Sequence, residues 1–195
     1  HGDSGGSYGG RGGGSAQGQT YGLAALPLEP GSPGGWRGRG NFTTTAKGGG
    51  AIHLLAGGHM QVDGLLTAKG GDGWYYRGAG GSGGSIFLAA MRFSGTGSLR
   101  AQGGGRATGS DSDARNGTRR APGGGGRISV WHHLPLPVVE ARIAARDVSG
   151  LFHFDSCAAF SGALDAGVTS SLLANQAEEG TKGFYTLGAT LIFLR

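Results

Sequence analysis

The chain has 195 residues, 46 of them glycine, with 37% hydrophobic and 8% aromatic residues. That is enough for one domain and too little for a thick globular core. Seventeen Lys and Arg against 12 Asp and Glu leave a net charge of +5, a single cysteine excludes an internal disulfide framework, and no run approaches the roughly 18 apolar residues of a membrane span.

Residues 1–47 form a Gly-rich N-terminal segment that begins at His1, not at methionine, so the sequence reads as a processed or trimmed piece. Fixing a residue costs about 1–2 kcal/mol of backbone entropy, and residues 1–20 carry few apolar side chains to offset it. Ordered glycine backbone of this kind packs as extended arrays, polyproline II-like or strand, whose hydrogen bonds come from neighbouring segments. Those neighbours are expected to belong to the same solenoid or to the next subunit, the second case making residues 1–47 an inter-subunit connector.

From residue 48 to 195 the chain repeats itself. "GGGAIHLLAGGHMQVDGLLTAKGGDG" (48–73), "GGSGGSIFLAAMRFSGTGSLRAQGGG" (80–105) and "GGGGRISVWHHLPLPVVEARIAARDVSG" (123–150) share one layout, with a partial copy at 180–195. Their anchor glycines Gly50, Gly84 and Gly126 lie 34 and 42 residues apart. A period in this range marks a repeat array. Each copy holds two short segments alternating at period two, such as Ile86/Leu88 and Leu99/Ala101, which predicts half-buried strands. "VVEARIAAR" (138–146) is read as strand, with a helix as the alternative. The expected fold is all-β: a glycine-rich parallel β-helix or β-solenoid with irregular Gly-rich loops. Ile52, Ile86 and Ile128 would be equivalent inward positions, as would Leu54, Leu88 and Val130. Residues 147–179 depart from the pattern and carry no reading.

The motifs "GGGAIHLL", "GGSGGSIFLAA", "GTGSLRAQGGG" and "GGGGRISV" resemble the glycine-rich repeat region of large secreted or cell-surface structural proteins of plants, algae and some bacteria. The resemblance spans roughly residues 34–130 and implies an extracellular structural role with no chemistry attached.

The residues themselves point the same way. The 12 acids are scattered along the chain, no Walker lysine follows the glycines, and no enzymatic activity is expected. No cofactor and no metal are expected either. His132 and His133 would point to opposite faces of a strand, and Asp72, Asp111 and Asp113 lack the spacing of a calcium loop. Asn41 and Asn116 lie in N-x-T sequons within polar, Gly-rich surroundings and are predicted glycosylation sites. Trp36, Trp74, Tyr75, Tyr76 and Trp131 are candidate aromatics for a subunit interface or for stacking on sugars. Cys157 is read as a small buried side chain, or as an intermolecular disulfide.

The resulting expectation is a non-enzymatic extracellular structural protein, one subunit or segment of a self-assembling fibre, surface hair, sheath or cell-wall polymer. Its partners would be further copies head-to-tail, or neighbouring domains of a longer chain. A carbohydrate-binding or adhesive module acting on cell-surface glycans is the alternative. RNA binding through the RGG-type stretches "YGGRGGG" (8–14) and "WRGRGNF" (36–42) ranks below both, because the strands between them are too apolar and regular for a disordered tail.

Overall fold

A computed structural model describes residues 4–14, 16–35, 45–73, 78–106, 121–169 and 177–188. Each repeat enters the fold as a long strand, turns a corner and continues as a short one. The first gives β1 (Ala51–Gln61) and β2 (Leu65–Thr67), the second β3 (Ser85–Ser94) and β4 (Ser98–Arg100). The third gives β5 (Arg127–His132), then an insertion holding α1 (Leu136–Ala145) and β6 (Leu151–Phe154), then β7 (Ala163–Asp165). The partial copy gives β8 (Thr181–Leu187).

The strands form two sheets, ordered β1-β3-β5-β8-β6 and β2-β4-β7. All pairings are parallel except β6 against β8. Ile52, Ile86 and Ile128 stand in one register row, and Leu54, Leu88, Val130 and Phe184 in the next. All of these except the exposed Leu54 pack with Leu99 and Leu66 of the second sheet and with Phe93 and Phe160 in one core. The opposite face of the first sheet presents Phe87, Ala89, Trp131 and Tyr185 to Val139 of α1 and to Leu26 of the N-terminal segment. A corner such as Gly95 (φ 132°) takes a backbone angle that disfavours side chains, and a Cβ there would collide with the backbone of Val62.

The expected all-β solenoid is corrected. The described fold is of mixed α/β character, with a mixed five-stranded sheet, a parallel three-stranded sheet, one helix and no closed solenoid. Two local causes are visible. Pro135 and Pro137 preset the first turn of a helix and need no N–H partner there, so the segment read as strand becomes α1 and ends on Arg146 in the left-handed region. The Gly-rich runs, moreover, are not loops between coils: they leave the sheets and bond to one another.

Residues 79–84 show the pattern best. Ala79 and Ser82 donate N–H groups to Gly35 and Ser32; Gly80 and Gly83 donate to Ala121 and Gly124; Gly81 and Gly84 donate to Gly71 and Ala68. The donor direction repeats every third residue, the threefold screw of a polyproline II-type helix. The same segment accepts from Gly6, Gly104 and Gly49, each in a further segment. One extended strand of backbone thus has six neighbours. A polyproline II helix has no internal hydrogen bonds, so the lattice satisfies N–H and C=O groups that burial would otherwise orphan. Contacts this close leave no room for Cβ atoms, which is why the runs are glycine.

The N-terminal residues join this lattice. Gly6 donates to Gly80, Gly9 and Gly10 to Gly125, and Gly13 to Pro122, while Gly124 donates back to Gly6. Of the two sources expected for these backbone partners, the same chain supplies the ones described here. No helix among the described residues is long and apolar enough to cross a membrane.

Candidate functional site

β1 is the outermost strand of the first sheet and β2 the outermost of the second, so both sheets end on the first repeat. β1 runs for 11 residues and is mostly exposed along its length. Leu54 and Leu55 are 42% and 41% exposed, whereas their register partners Leu88 and Ala89 in β3 are at 0% and 1%. In the second sheet Leu65 of β2 is 55% exposed. The rows of Leu54 and Leu55 are buried everywhere else in the first sheet, at Leu88, Val130 and Phe184 and at Ala89, Trp131 and Tyr185. Burying a leucine fully is worth about 1.5–3 kcal/mol, so three half-exposed ones leave about 2–4 kcal/mol unrealised at this end. An edge strand commonly carries Lys, Pro or an inward charge as protection. Residues 51–61, "AIHLLAGGHMQ", hold no Lys, Arg, Asp, Glu or Pro. The far end differs: β6 lies antiparallel on β8 and is only four residues long.

Carboxylates tie the open repeat to the second. Asp63, in the corner after β1, accepts from the Thr96 N–H (3.0 Å) and from Gln61 Nε2 (2.6 Å). Asp72 accepts from the Gly105 N–H (2.7 Å) and pairs with Lys69 (3.0 Å). The bond from Gln61 first, then that from Thr96, holds the Asp63 carboxyl below the ordinary carboxylate range; for Asp72 the Gly105 amide is the main cause. Asp72 is thus a link between repeats, and its two oxygens are in use.

The sequence-predicted site residues fare differently. Asn41, Asn116, Trp36, Trp74, Tyr75 and Tyr76 lie outside the described residues, as do Asp111 and Asp113. Trp131 is fully buried, its indole N–H donating to the Ala25 carbonyl (2.7 Å) and its ring edge-on to Phe87. It is a core residue that presents no face to a partner, which corrects its reading as an interface or sugar-stacking aromatic. Cys157 is a free thiol, half-buried, with Sγ 4.0 Å from the Phe93 carbonyl oxygen. His132 and His133 do not diverge: His133 takes φ 61°, which brings the two Nδ1 atoms to 3.1 Å. Among the described residues no group of three or more His, Cys, Asp or Glu is placed to hold a metal ion.

Sequence reasoning missed a buried polar cluster under the N-terminal segment. Arg127, in the GGGGR motif, donates to the Tyr21 carbonyl (3.0 Å) and to Thr181 Oγ1 (3.0 Å), and its guanidinium lies 5.4 Å from the Tyr8 ring centroid. Burial lowers the Arg127 pKa; burial, then the charge of Glu29, raises that of the Tyr8 phenol. The cluster clamps Tyr8 and Tyr21 to β5, helped by Ser129 Oγ on the Ala25 carbonyl (2.6 Å). With Tyr8 buried, the first RGG-type stretch offers no ring for stacking on bases. A signal was present in the sequence: the first residue after each anchor glycine is Ala51, Ser85 or Arg127, and only one is charged.

On the outer face of α1 lies an open apolar hollow of about 460 Å³, lined by Pro137, Val138, Ala141 and Ala145, with Arg142 and Asp147 paired at its rim (3.2 Å). Compared with known proteins, the chain matches no family model, no curated protein and no solved structure.

Proposed function

We propose that this chain is a non-enzymatic structural module of an extracellular or cell-surface assembly, a rigid block of repeats that associates through its open end. The observation that carries the reading is the exposed β1/β2 edge: two sheets stop at the same repeat, and β1, which has no charged residue, leaves open the Leu54 and Leu55 rows that the other repeats of its sheet bury. The glycine lattice supports it. Backbone bonded to six neighbours gives stiffness without a thick side-chain core, which suits a load-bearing element more than a binding cleft. The resemblance of the repeat motifs to secreted structural proteins favours the same compartment, where Asn41 and Asn116 would carry sugar.

Sedimentation velocity from micromolar to millimolar concentration tests the association. The wild-type chain populates species larger than a monomer as concentration rises. Replacing Leu54→Lys and Leu55→Lys together places charges on the edge and keeps the chain monomeric. A wild-type chain that stays monomeric throughout, or a double variant that associates equally well, would refute the proposal.

A further inference from the structure

Resting on that reading of the open edge, we infer that its occupant is the β1 strand of a second copy, paired antiparallel about a two-fold axis at Ala56. Strand length points to this occupant. Among the described residues the other strands that end a sheet are β2, β6 and β7, of three, four and three residues. Only another β1 offers an 11-residue edge to match this one.

The order of residues then selects the direction. In an antiparallel pair centred on Ala56, Ile52 faces the partner's Met60, and Leu54 and Leu55 face the partner's Gly58 and Gly57. Large side chains meet space. Added Cβ atoms at Gly58 would touch nothing, and at Gly57 only the Leu136 side chain, at 3.7 Å and beyond, so the room beside Leu54 and Leu55 is open. A parallel, in-register pairing would instead set Leu54 on Leu54 and Gly57 on Gly57, leaving gaps beside the glycines. Histidines meet in either direction, His53 on His53 in the parallel pair and His53 on His59 in the antiparallel one, so the leucines and glycines make the selection.

Charge permits close approach, since β1 itself has no Lys, Arg, Asp or Glu. The extra residue of β1 between Ala56 and His59, where the register with β3 shifts, falls in one half of the strand. The two-fold therefore sets each irregular half against the regular half of its partner. The interface is isologous, and the five-stranded sheets of two copies become continuous.

Cysteine cross-linking of the full chain in a Cys157→Ser background separates this arrangement from the alternatives. Under mild oxidation Ala56→Cys, on the axis, forms covalent dimers at least about tenfold faster than Ala51→Cys or Gln61→Cys alone, because only paired thiols share a high effective concentration. A mixture of the Ala51→Cys and Gln61→Cys chains regains the fast rate, as those two positions face each other. Cross-linking of Ala51→Cys alone as fast as Ala56→Cys would mean parallel pairing and overturn the inference. So would slow cross-linking of all three in chains that sediment as oligomers, which leaves the proposed association standing but at another surface. Monomeric sedimentation of all variants and of the parent would defeat both.

Discussion

Gly49 and Gly50 are adjacent, share the run "GGG" and differ only in what surrounds them, so replacing each with alanine isolates the glycine lattice. At Gly50 a Cβ meets nothing within 4 Å. At Gly49 it would fall on the backbone between the Ala68 carbonyl and the Gly84 N–H, 2.8 Å from the Ala68 carbonyl carbon and closer still to the Ala68 oxygen and Gly84 nitrogen. Those two groups are themselves hydrogen-bonded at 2.8 Å. Gly49 also donates to Ser82 (2.9 Å) and accepts from Gly31 (2.8 Å). Relief requires a segment to move, which disrupts about three bonds at a net 0.5–1.5 kcal/mol each and leaves buried groups short of partners at about 1–3 kcal/mol. Gly49→Ala should therefore cost about 3–5 kcal/mol, a large part of a typical total of about 5–15 kcal/mol. For a domain of this size each kcal/mol shifts Tm by about 2–4 °C, so thermal unfolding should fall by about 6–20 °C. Gly50→Ala should leave Tm unchanged or raise it slightly, because it only restricts the unfolded chain. Equal effects of the two substitutions on Tm, or no effect of Gly49→Ala, would refute the lattice as the reason these runs are glycine.

Two further outcomes follow from single groups. The Tyr8 hydroxyl is buried near the Ser85 hydroxyl and the Glu29 backbone, but neither contact has the geometry of a hydrogen bond, so Tyr8→Phe should stabilise the fold by about 1 kcal/mol, read from the urea midpoint; a loss of similar size would show that one of these contacts is a working bond. The Asp72 carboxyl is held below its ordinary range by the Gly105 amide first, so its contribution is present above its unfolded pKa of about 4 and is lost as pH falls through the lower folded value. The Tm difference between wild type and Asp72→Ala should then be constant from pH 7 to about 4 and shrink below that; a difference that persists unchanged to pH 2 would contradict the assignment.

Some of this architecture is legible in the sequence and some is not, for physical reasons. The row Ile52–Ile86–Ile128 can be read because a glycine anchor and a period-two pattern fix both register and face. The helix α1 escapes the same reading, since Val138, Val139 and Ile143 suit either period and the decision falls to Pro135 and Pro137 at the first turn. The class of the fold escapes because glycine runs look alike whether they turn, fray or bond: what distinguishes them is the neighbour, and the six neighbours of residues 79–84 come from all along the chain. Arg127 and Trp131 escape in different ways. The arginine, which the sequence left without a role, clamps Tyr8 and Tyr21, and the tryptophan read as a platform is sealed by Ala25 and Phe87. Of the open end, the absence of charge in "AIHLLAGGHMQ" is visible in sequence, but its position at the limit of both sheets is not.

Native-state hydrogen exchange tests most directly the central claim, that the glycine runs are bonded scaffold and not connecting loop. The amides of Gly80, Gly81, Gly83, Gly84, Gly104, Gly123, Gly124 and Gly126 each donate to backbone of another segment. They should exchange as slowly as the amides of Ile86 and Leu88 in β3 and Ile128 and Val130 in β5, since opening any of them requires opening the lattice that anchors the strands. Exchange of these glycine amides at unprotected-peptide rates, while the strand amides stay protected, would contradict the claim.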